Sequence, residues 1–146
     1  PTDEALMRLT VPGDATSVRH AMQDLAQSDL FLGLPEGIRQ NAEIVLAEVM
    51  NNVVEHAYAQ GQGDITLDID PNPSGLVCQI RDSGAPMPGL ALPQGQFQAL
   101  DRIDDLPEGG FGWFLIRSLT ENLRYRREGC VNTLTFCLID EQCHAD

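Results

Sequence analysis

A chain of 146 residues, 42% apolar and 21% charged, is long enough for one globular domain with its own core and has no composition typical of disorder. Nine basic residues against 22 acidic ones give a net charge of −13, so no direct contact with nucleic acid is expected. All the basic residues are arginine, and the lack of lysine excludes Schiff-base chemistry and the Walker-type phosphate loop.

Ala5 to Val11 alternates as a strand does, and Pro12-Gly13-Asp14 ends it. Val18, Ala21, Met22, Leu25 and Ala26 then recur at helical spacing, with Asp14 or Thr16 as cap. Phe31 to Leu34 reads as a link. A second helix begins at Pro35, with one apolar stripe through Ile38, Ala42, Leu46, Val49, Val53 and Ala57, and Gly61 and Gly63 stop it.

Strands are expected over Asp64–Asp70 and Leu76–Asp82, joined by a Pro- and Gly-rich turn. Ser83 to Glu108 has no clear periodicity and four prolines, the mark of a long functional loop. Gly109-Gly110-Phe111-Gly112 opens a third helix to about Thr120, and a hairpin pairs Leu123–Arg127 with Val131–Ile139. The expected architecture is a single domain over residues 1–146, an α/β (α+β) fold with a mixed sheet and helices on one face.

Cys78, Cys130, Cys137 and Cys143 form no C-x-x-C pair or zinc pattern. No apolar run approaches the roughly 20 residues of a membrane helix, and no signal peptide is evident. A cytoplasmic protein without membrane contact is expected.

Three clusters have chemical potential. Glu48, Asn52 and His56 follow at four-residue steps, each rotated by about 40°, and so form a polar line beside the apolar stripe. An amide oxygen there suits Mg²⁺, which needs few protein ligands, and a carboxylate one turn away can accept a proton from an attacking hydroxyl. Polar residues on a helix flank with no further role are the plainer alternative.

Asp82-Ser83-Gly84 ends a hydrophobic strand, where the carboxylate can accept a hydrogen bond from an exocyclic amine such as that of adenine; an ordinary turn is the competing reading. Gly109, Gly110 and Gly112 leave free N–H groups at a helix N-terminus, suited to phosphate or merely to a tight entry.

Taken in order, these clusters resemble the boxes of the gyrase, Hsp90, histidine-kinase and MutL ATPase superfamily. Glu48 to Tyr58 resembles the E-x-x-x-N-x-x-x-H-A-Y form found in the bacterial anti-sigma-factor serine kinases. Asp82-Ser83-Gly84 is similar to their D-x-G box, and Gly109 to Ile116 to their G-G-x-G-x-x-L-I box.

The resemblance implies a two-layer sandwich, with a mixed, mainly antiparallel sheet covered by three helices. It implies Mg-ATP as cofactor, Asn52 as Mg²⁺ ligand and Glu48 as catalytic base. Asp82, Gly84 and Thr133 would serve the adenine, and Gly110 and Gly112 the phosphates. Arg102 is the one basic candidate for the γ-phosphate within Ser83–Glu108, with Arg117 more distant. Pro86 stands where many relatives have glycine.

The activity implied is that of a protein-serine kinase in a partner switch. Its partners would be a small antagonist protein, which it phosphorylates, and a sigma factor, which it silences, and it would act as a homodimer. The alternatives are a nucleotide-binding regulatory module with little or no kinase activity and the catalytic domain of a histidine kinase. The last of these requires a phosphoacceptor helix hairpin beyond these residues.

Overall fold

The computed structural model describes residues 6–58, 62–87 and 110–139. Five strands run β1 Met7–Pro12, β2 Asp64–Asn72, β3 Gly75–Asp82, β4 Glu121–Glu128 and β5 Val131–Ile139. They form one sheet in the order β1-β2-β3-β5-β4, and all four pairings are antiparallel.

Strand alternation sets the two faces. Ile65, Leu67 and Ile69 on β2 are buried, as are Leu76, Cys78 and Ile80 on β3 and Leu134, Phe136 and Leu138 on β5. The residues between them lie on the opposite, polar face, where Arg8 meets Asp68 at 2.6 Å and Arg81 meets it at 3.2 Å.

The helices are α1 Ala15–Ala26, α2 Asp29–Leu32, α3 Glu36–Asn52 and α4 Gly110–Leu119. Asp14 caps α1 by accepting the Ser17 N–H at 2.8 Å. The expected link before α3 contains the short α2, because the Ser28 hydroxyl accepts the Phe31 N–H at 3.2 Å. Phe31 itself is fully buried.

Helix α3 lays Ile38, Ala42, Val45, Leu46, Val49 and Met50 into the core, and α1 and α4 pack beside it. It passes into one π-helical turn over Val53–Ala57, closed by Tyr58 N–H donating to Val53 O at 2.9 Å. Single π turns are frequent at functional sites.

Tyr58 ties this turn to the sheet. Its ring is wedged against Gly13 and Gly63, where an added Cβ would stand 2.5 and 2.6 Å from ring carbons. Its hydroxyl donates to Asp64 O at 2.7 Å and accepts the Ser83 N–H at 2.8 Å. Burial raises its pKa above the usual phenol value.

Candidate active site

Glu48 and Asn52 lie one turn apart on α3, as their spacing requires. Asn52 is 9% exposed, and its Nδ2 is buried with no hydrogen-bond partner among the described residues. A buried polar atom left unpaired costs about 1–3 kcal/mol, so such a group awaits a ligand or a water. A half-turn of the amide exchanges its nitrogen and oxygen, and the same side chain then presents an oxygen to that space. Among the described residues no cluster of three His, Cys, Asp or Glu side chains forms a metal site. A largely hydrated Mg²⁺ held by Asn52 and by phosphate oxygens fits this donor set.

Glu48 reaches across to α4. A Cβ on Gly112 would stand 2.6 Å from Glu48 Oε2, so the carboxylate lies directly against the first turn of that helix. Gly110 is the first residue of α4, and the N–H groups of a helix's first turn, which have no partner within the helix, are suited to an anion. The Glu48 carboxylate and the start of α4 therefore meet, with the Asn52 amide one turn along α3.

His56 stays outside this cluster. The π turn follows Asn52, and the imidazole is 66% exposed with Glu55 3.9 Å away.

Asp82 ends β3 on the helix-facing side and is buried. Its Oδ1 accepts the Gly84 N–H at 2.9 Å and the Asn132 Nδ2–H at 2.8 Å. Gly84 sits so close to Ala57 O that a side chain would collide with it, and the neighbouring Ala85 N–H donates to the same oxygen at 2.8 Å. The D-x-G segment is thus joined to the end of the π turn.

Thr133 does not join Asp82. The ladder pairs Asp82 with Asn132, and Arg81 with Thr133, so Thr133 shares the polar face of the sheet with Arg81 and Arg126. Asn132 is the β5 side chain that faces Asp82. Its parity with Leu134, Phe136 and Leu138 was the available signal.

Two more residues had no sequence signal. Tyr125 donates its hydroxyl to Asn132 Oδ1 at 2.6 Å, and Arg127 Nη1 donates to the same oxygen at 3.0 Å. Arg127 also donates to Gly84 O at 2.7 Å, and Tyr125 accepts the Met87 N–H at 3.0 Å. Arg102 lies outside the described residues. Arg117 is exposed in the last turn of α4.

A family model described as the histidine kinase-like ATPase domain matches residues 11–138. The chain belongs to the histidine kinase-like ATPase domain family. It is similar to the serine-protein kinase RsbW of Bacillus cereus (strain ATCC 10987 / NRS 248), with 26% identity over 145 residues, covering 97% of this chain and 82% of the relative. The RsbW protein of Bacillus mycoides (strain KBAB4) matches with the same identity and coverage.

Among solved structures, the histidine kinase domain of the Erythrobacter litoralis EL346 blue-light activated histidine kinase superposes with a TM-score of 0.53 at 16% identity. The match covers 87% of this chain and 61% of that one, and it establishes a shared fold. Among the described residues no helix is long and apolar enough to cross a membrane.

Proposed function

We propose that this chain is an ATP-dependent serine-protein kinase that transfers the γ-phosphoryl group to a serine of a small antagonist protein. The observation that carries the reading is the Glu48 carboxylate set against the first turn of α4, one helical turn from the buried, unpaired amide of Asn52. The similarity to proteins named serine-protein kinase RsbW favours serine as acceptor.

Asp82 accepts the adenine amine. The free N–H groups at the start of α4, with Gly110 and Gly112 giving close backbone approach, hold phosphate oxygens. Asn52 holds Mg²⁺, which supplies charge neutralisation for the phosphates. Glu48 takes the proton of the serine hydroxyl as that oxygen bonds to the γ-phosphorus. The bond from the γ-phosphorus to the β,γ-bridging oxygen breaks, and ADP leaves.

Arg102 is the candidate for balancing charge on the γ-phosphate. In keeping with the family resemblance, the enzyme works as a homodimer in the cytoplasm and also binds a sigma factor. The sheet face opposite the helices carries Thr133, which takes no part in this scheme.

Calorimetric titration with ATP, with and without Mg²⁺, tests the site. Saturable Mg-dependent binding that is lost in Asn52→Ala supports it, and equal affinity in the two proteins would sink the metal assignment. Transfer from γ-labelled ATP to a protein serine, lost in Glu48→Gln, tests the chemistry.

A further inference from the structure

Asn132 is the feature of the site that the general scheme does not use. Its amide is saturated from both ends. Nδ2 donates to Asp82 Oδ1 at 2.8 Å and to Ala85 O at 2.9 Å, with Gly84 O at 3.5 Å. Oδ1 accepts from the Tyr125 hydroxyl at 2.6 Å and from Arg127 Nη1 at 3.0 Å. Two acceptors around the nitrogen and two donors around the oxygen leave one orientation of the amide and no capacity to touch a ligand.

We infer that Asn132 is a positioning residue that fixes nucleobase selectivity through Asp82. This rests on the reading of Asp82 as the residue that meets the base. Asp82 Oδ1 is occupied by Asn132 and by the Gly84 N–H, so the carboxylate cannot rotate without breaking both bonds.

Among the described residues nothing donates to Oδ2. That oxygen, held in one direction in a buried place, pairs with a base that presents an N–H₂ group there. A base with a carbonyl at the same position sets oxygen against carboxylate and is rejected, because a buried polar group is left unpaired.

The same network fixes the backbone beside the base. Asn132, Arg127 and Tyr125 hold Ala85 O, Gly84 O and the Met87 N–H. These anchors span the six residues from Asp82 to Met87 that must keep their distance from the ring for the amine to reach Oδ2. Asn132 thus contributes to both halves of the adenine contact, directly at Asp82 and at Ala85 O.

The test is calorimetric affinity for Mg-ATP and for Mg-ITP, which carries a 6-oxo group in place of the 6-amino group, in wild type, Asn132→Ala and Tyr125→Phe. The ATP-to-ITP affinity ratio is expected to fall about tenfold in Asn132→Ala, the size of one hydrogen bond to a charged group. In Tyr125→Phe it falls about threefold, because Asn132 Oδ1 keeps Arg127 as a donor.

A purely structural role would lower both affinities together and leave the ratio intact. Wild-type ratios in both variants overturn the inference and leave the nucleotide site standing. A wild-type protein that binds neither nucleotide overturns the site itself, and the inference with it. If Asn132→Ala fails to fold, Tyr125→Phe decides.

Discussion

The carboxylate of Glu48 fills the space in which a side chain on residue 112 would begin: a Cβ there would lie 2.6 Å from Oε2. The two residues belong to different helices, so this contact sets the distance between the proposed catalytic base on α3 and the proposed phosphate-binding turn of α4. Gly112→Ala must push one of them away. The variant is expected to lose at least tenfold in phosphoryl transfer, with the fold retained because alanine favours the helix. Initial rates with saturating Mg-ATP, compared with a melting curve, check this. An unchanged rate would show that the carboxylate moves freely.

Asn52→Ala separates function from stability. The amide nitrogen has no partner, so its removal deletes an unpaired buried group instead of a bond. The melting temperature is expected to stay level or rise, while Mg-dependent ATP affinity is lost. A loss of more than about 2 kcal/mol in denaturant titration would mean that the amide has a structural role.

Tyr58→Phe removes a donor to Asp64 O and an acceptor for the Ser83 N–H while keeping the ring between Gly13 and Gly63. The expected cost is about 1–3 kcal/mol. Because Ser83 sits between Asp82 and Gly84, ATP affinity should fall as well. Urea titration and calorimetry together read both effects.

Cys78 gives a pH signature. Burial, with a minor contribution from Cys137, pushes its thiol up to about 12. The folded state thus favours the protonated form, and a raised acid pKa stabilises below the unfolded value and is lost as pH rises through it. From about pH 9 upward, stability should fall by at most about 1.4 kcal/mol per pH unit on account of this thiol. Cys78→Ala should flatten that limb by one proton. In the native protein at pH 8, iodoacetamide should modify the exposed Cys130 and spare Cys78.

Much of this was legible from the sequence, and the reasons differ by residue. The helical stripe beside Glu48 and Asn52 has a period of its own, so the pair could be placed before any coordinates. Asp82 was marked by its position at the end of an apolar strand. Asn132, beside Thr133, was less legible for a simple reason: a motif gives a neighbourhood, and strand parity decides which neighbour faces in.

Tyr125 and Arg127 were hidden because their role comes from cross-strand register, which a single chain does not display. The π turn was hidden too, since one extra residue in the last turn hardly disturbs an apolar stripe. A four-residue helix such as α2 is too short to show a period, and its Ser28 cap was its main trace.

The sheet order leaves β1 and β4 as its outer strands. On β4, five of eight residues are charged, its register against β5 shifts between Glu121 and Arg124, and Asn122 takes a positive φ of 57°. A strand so bent and so charged is a poor template for another to zip onto. Any protein that grips this rim must therefore do so through side chains, and crowding of many copies should not seed fibres from it.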